Sequence, residues 1–118
     1  MSKPPRPPAH IAAYVEVLGP DMAVEFLLSF GGAELYLPAN PRGRSKVEAL
    51  VGAENVKALQ ARAGELSARV PTAKPWIAQV FASKGLPVAE IARKLHTTDV
   101  TVRKYLRAGP DPRQLSLI

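Results

Sequence analysis

Residues able to ligate a metal, attack a bond or relay a proton are scarce in this sequence. Its two histidines are His10 and His96, and neither has a second ligand at metal-binding spacing. It has no cysteine, which excludes disulfides and thiolate metal sites and is compatible with a reducing compartment. No Ser-His-Asp set, glycine-rich phosphate loop or close carboxylate pair stands out, and a bare Gly31-Gly32 is far too weak for a nucleotide site. The expectation is a protein that is not an enzyme and takes no cofactor or metal. What the sequence does supply is fixed positive charge: 16 Lys+Arg against 10 Asp+Glu, a net +6. From Pro71 to Arg107 seven basic residues face only Glu90 and Asp99, a local +5. Ammonium and guanidinium groups concentrated in this way attract polyanions: nucleic acid, or an anionic membrane surface.

The same third of the chain carries the sharpest pattern, "GLPVAEIARKLHTTDVTVRKYLRAG", Gly85 to Gly109. Upstream, Trp76, Ile77, Val80 and Phe81 recur at helical spacing and form a supporting helix that Gly85 closes. Pro87 starts a second helix with Val88, Ile91, Ala92 and Leu95 on one face. "HTTD" breaks it, Thr98 or Asp99 can cap a third, and Val102, Tyr105 and Leu106 point inward. This is a helix-turn-helix. Small Ala92 lets two helices cross closely, while Ile91, Leu95 and Val102 fill the wedge between them. The turn often has glycine where His96 stands, and if positive φ is needed there, histidine tolerates it better than most residues. The outward positions divide by chemistry. Thr98, Asp99, Thr101 and Arg103 are the base-reading set, with Arg103 able to fork onto guanine. Lys84, Arg93, Lys94, Lys104 and Arg107 are the phosphate set. The competing reading is a three-helix packing unit that never meets nucleic acid; the concentrated charge argues against it.

The front of the chain must hold this reader in place, and it contains a repeat. "VLGPDMAVEFLLSFGGAELYLP" (Val17 to Pro38) lies over "LVGAENVKALQARAGELSARVP" (Leu50 to Pro71) at an offset of 33 without gaps. Gly19 falls on Gly52, Gly31 on Gly64 and Pro38 on Pro71, while Leu18, Asp21, Phe26 and Leu37 fall on Val51, Glu54, Leu59 and Val70. Matches at the punctuating residues are what duplicated supersecondary units give. Each unit reads as helix, glycine break, helix, glycine cap, short strand, proline stop. The strand around Leu35 to Leu37 is expected to pair with its duplicate around Ala68 to Val70 as a two-stranded ribbon, steadied by the helices because a lone ribbon is marginal in water.

The expected fold is therefore mainly α: a helical N-terminal region with a short two-stranded β-ribbon, then a C-terminal three-helix helix-turn-helix domain. The boundaries are a disordered leader at 1–8, the duplicated region at 9–71 (repeats about 14–38 and 47–71), the DNA-binding domain at 74–108 and a flexible tail at 109–118. The loop "PANPRGRSK", with Arg42, Arg44 and Lys46, reads as a connector that could touch phosphate or enter a minor groove. No apolar run approaches bilayer length, and the start "MSKPPRPPAH" is too polar and proline-rich for a secretion signal, so the expectation is cytoplasmic.

With its parts laid out, the chain resembles the Mor/C family of phage Mu-type transcription activators. The resemblance is carried by a helical region running into "FGGAELYLP" and by the later "VAEIARKLHTTDVTVRKYL". It covers most of the chain outside the leader and tail; the FGG-to-Pro stretch is moderately specific, the helix-turn-helix generic. It implies a homodimer that binds a roughly palindromic promoter element in a bacterium or phage-infected cell and recruits host RNA polymerase, with Gly31, Gly32 and Tyr36 as linker residues. The departure is the second unit, Val47 to Pro71, which would allow an intramolecular pseudo-dimer instead. Finally, "QLSLI", with Gln114, Leu115, Leu117 and Ile118, resembles the short peptides that dock on the bacterial sliding clamp. That tail keeps a second reading open, a DNA-binding adaptor of replication or recombination, beside a third, a protein-interaction scaffold that never binds DNA.

Overall fold

A computed structural model describes residues 5–37 and 45–107. The described residues are mainly helical, with six α-helices among them: α1 (Ala12–Phe30), α2 (Lys46–Val51), α3 (Ala53–Ala61), α4 (Lys74–Ser83), α5 (Val88–Leu95) and α6 (Asp99–Arg107). Short 3-10 turns at Ala9–Ile11 and Ala63–Glu65 complete the described elements. None of the described helices is long and apolar enough to cross a membrane. The described residues fall into two compact units: 9–72, and 73–107 together with 5–8.

In the first unit α1 is two helices joined through Gly19, whose φ of 81° and ψ of 160° lie in a region essentially reserved for glycine. Pro20 then opens the second segment, where its missing N–H costs nothing. The same device separates α2 from α3: Gly52 has φ 89° and ψ 156°. Ser45 caps α2 by accepting from the Glu48 N–H at 3.0 Å. α1 packs on both α2 and α3. Their shared core holds Ile11, Tyr14, Ala23, Phe26, Leu27, Val47, Val51, Val56, Leu59 and Val70, all buried. Tyr14 stacks on Phe26 with ring centroids 5.1 Å apart. The Tyr14 hydroxyl is buried and finds no hydrogen-bond partner among the described residues, and burial pushes its pKa up to about 12.

The expected two-stranded ribbon is not formed, and the described residues contain no sheet. One antiparallel bridge stands in its place, Glu34 opposite Arg69. It is flanked by the Leu35 N–H donating to the Ala68 carbonyl at 2.8 Å, and by the Val70 N–H donating to Ala33 at 2.9 Å. The two segments expected to meet do meet, but one residue pair cannot spread into a ladder. Beyond Val70 comes Pro71, which has no N–H to give. On the other side the Ala63–Glu65 turn ends at Leu66, and the next residue, Ser67, folds its hydroxyl onto the Arg69 carbonyl. Gly31 keeps the chain close to this junction: a Cβ there would lie 2.6 Å from the Leu27 carbonyl oxygen and 3.2 Å from the Thr72 Cα.

Residues 5–8 of the expected leader are among the described residues. The buried Trp76 indole N–H donates to the Pro5 carbonyl at 3.0 Å. A buried indole needs an acceptor, and here residues 5–8 belong to the second unit. Of the loop, Arg42 and Arg44 lie outside the described residues, as do Gln114, Leu115, Leu117 and Ile118 of the tail. Lys46 is the exposed first residue of α2.

Candidate nucleic-acid interface

In the second unit three helices pack pairwise, α4 on α5, α4 on α6 and α5 on α6. α4 buries Trp76, Ile77, Ala78 and Val80; α5 buries Ile91, Ala92 and Leu95; α6 contributes Val102, fully buried. Of the apolar positions that define the sequence pattern, Ile91, Leu95 and Val102 are buried in the wedge, while Val88, Tyr105 and Leu106 are half-buried. Phe81 is only half-buried, and the Lys94 Nζ sits 5.8 Å from its ring centroid. That places a cation over an aromatic face, an arrangement worth about 0.5–1 kcal/mol at an exposed site.

The turn is set by His96, which adopts the left-handed conformation at φ 55° and ψ 48°. The next N–H, of Thr97, returns to the Ala92 carbonyl at 3.0 Å and closes the end of α5. The sequence pattern places glycine at such a position; this chain accepts histidine there at a modest backbone cost. Thr98 then caps α6, its Oγ1 accepting from the Thr101 N–H at 3.2 Å. Asp99 Oδ1 accepts from the Val100 N–H at 3.1 Å. From the opposite side the buried Gln79 donates through Nε2 to the Tyr105 carbonyl at 3.2 Å, fastening the last turn of α6 to α4.

These contacts decide what each outward residue can offer. Thr98, Asp99 and Arg103 are exposed, while Thr101 is half-buried with its hydroxyl 3.0 Å from that of Thr98. The two threonine hydroxyls therefore organise the start of α6 first. Asp99 and Arg103 form an ion pair one turn apart, Oδ2 to Nη2 3.2 Å, with both side chains more than half exposed. Such a pair contributes at most about 1 kcal/mol, so it orients the guanidinium without locking it. Lys84, Arg93, Lys94, Lys104 and Arg107 are all exposed on the same three-helix unit. Lys104 and Arg107 occupy the last turn of α6 and Asp99 its first, the order that the helix dipole favours.

The chain matches no family model, no curated protein and no solved structure. The likeness to Mor/C activators rests on the quoted residues alone.

Two residues escape the sequence reading. Val100 is 66 % exposed at the first turn of α6, among the polar reading positions. Its signal was present: it falls outside the stripe of Val102, Tyr105 and Leu106, so an apolar side chain there has no core to enter. An exposed branched methyl pair beside Arg103 suits contact with a thymine C5-methyl. Gln79 was also missed, because a lone polar residue in an apolar helix announces no partner. Gly31, Gly32 and Tyr36, named from the resemblance, lie in the first unit; Tyr36 is 64 % exposed there.

Proposed function

We propose that this chain is a DNA-binding transcription regulator of phage or prophage type, acting in the cytoplasm of a bacterium or a phage-infected bacterial cell without catalysing a reaction. α6 enters the major groove by its N-terminal half. Arg103 leaves Asp99 to fork onto guanine, Asp99 and Thr101 meet adjacent base edges, and Val100 lies against a thymine methyl. Thr98 keeps the helix start capped at the DNA surface. Lys84, Arg93, Lys94, Lys104 and Arg107 hold phosphates on either side and set the register. Contact with host RNA polymerase follows from the resemblance to Mor/C activators.

The observation that supports this reading most is the company α6 keeps. Its exposed face carries three cations and a capped, base-sized start, with two more cations on α5 and one at the end of α4. A scaffold built from three packed helices has no need of that bias. The test is selection of preferred sites from random duplex DNA, repeated with Arg103→Ala. A discrete motif that loses its guanine preference in the variant is expected. A motif unchanged by Arg103→Ala, Thr101→Ala and Asp99→Ala combined would remove the assigned reading face.

A further inference from the structure

Two copies of a motif related by a two-fold axis obey a simple rule. A residue touches its own duplicate only where the axis passes. At the offset of 33 this happens twice in the first unit. The Leu35 N–H donates to the carbonyl of Ala68, its duplicate, at 2.8 Å in an antiparallel pairing. On the helices, Asn55 Nδ2 lies 3.6 Å from the sulfur of Met22, again its duplicate. One contact is backbone and the other side chain, and they come from different elements.

The rest of the unit keeps the same relation. The breaks at Gly19 and Gly52 differ by only a few degrees, φ 81° and ψ 160° against φ 89° and ψ 156°. Core positions repeat as well: Tyr14 with Val47, Ala23 with Val56 and Phe26 with Leu59 are all buried. The copies diverge after the second helix, where Gly31 continues extended at ψ 131° and Gly64 sits in a 3-10 turn.

We infer that residues 9–72 are a dimer fused into one chain, two helix-glycine-helix units closed on each other around an internal pseudo-two-fold axis. The strand edge and helix face that one unit would otherwise offer to a second molecule are covered by its own duplicate. The full chain is therefore a monomer with one helix-turn-helix. Granted the DNA-reading function proposed above, its target is a single asymmetric site rather than a palindrome, because a palindrome is read by two recognition helices related by a molecular two-fold.

The chain has no cysteine, so a clean test is available. The unmodified protein, measured by light scattering over a wide concentration range, is expected at the one-chain mass of 12.7 kDa. The double variant Met22→Cys/Asn55→Cys, treated with a short bismaleimide, is expected to link within one molecule, giving a mobility shift without doubled mass. A two-chain mass for the unmodified protein, or links formed between molecules, would overturn the inference. So would a stable monomer in which the two cysteines fail to link. In the DNA arm, selected sites should be asymmetric with one chain per duplex, and palindromes bound by two chains would count against it. Absence of any DNA binding would refute the reader while leaving the fused dimer standing.

Discussion

Arg103 carries the greatest weight among single residues, because among the described residues its guanidinium is held by one exposed ion pair, to Asp99 at 3.2 Å. Moving it onto guanine exchanges a weak partner for a bidentate one. Arg103→Ala should cost about 1–3 kcal/mol of binding and relax preference at one base pair. Lys104→Ala or Arg107→Ala should instead weaken all sequences alike and lower the salt slope by about 1. Parallel titrations on matched and mismatched duplexes separate the two behaviours. Tyr14 makes a prediction about stability. Its buried hydroxyl has no partner among the described residues, so Tyr14→Phe should be neutral or stabilising by up to about 1 kcal/mol in urea unfolding. The phenol ionises near pH 10 in the unfolded chain and only near about 12 in the folded one. The unfolded state thus loses its proton first, and stability should fall between those values in a component that Tyr14→Phe lacks. A clear loss of stability at neutral pH in that variant would mean the hydroxyl has a partner after all. Much of this scale was legible beforehand: the five phosphate candidates are exposed as their helical phase requires. Thr98 was not fully legible, since its role as cap rather than reader depends on a hydroxyl orientation that spacing does not determine.

At the scale of elements, glycines and their substitutes control where helices stop. Gly19 and Gly52 occupy a backbone region closed to other residues, yet a Cβ added at either would meet nothing within 4 Å. Gly19→Ala and Gly52→Ala should therefore each cost about 1–3 kcal/mol from backbone strain alone, and by similar amounts. Urea midpoints of the two variants check this, and a neutral effect at either position would break the equivalence. His96 provides the inverse case. His96→Gly relieves the left-handed turn and should raise stability by up to about 1 kcal/mol without changing DNA sequence preference. The three C-terminal helices were readable because their apolar spacing, the turn at His96 and the cap at Thr98 all specify one arrangement. The ribbon was not. Its partner segments were identifiable from the repeat, but the length of pairing is limited by Pro71 and by the turn at Ala63–Glu65, and alternating residues alone do not encode either limit.

For the whole molecule, charge and repetition were both visible in the sequence, the first as a local excess of cations and the second as an offset of 33. What the sequence could not distinguish was pairing within one chain from pairing between two. The inference of a fused dimer draws on the contacts of Leu35 with Ala68 and of Met22 with Asn55. The cations of the second unit are what would bring the chain to DNA. If the five exposed phosphate candidates act together, binding should follow counterion release with a slope near about −4 to −5 in log–log form, or about 10²–10³ in affinity between 50 and 200 mM salt. The most direct measurement is therefore fluorescence anisotropy of the full chain on a random duplex across that range, with Lys57→Ala in the first unit as control. A steep slope that Lys104→Ala and Arg107→Ala reduce and Lys57→Ala does not is the expected result. No binding at the lowest salt, or an affinity indifferent to salt, would contradict the account.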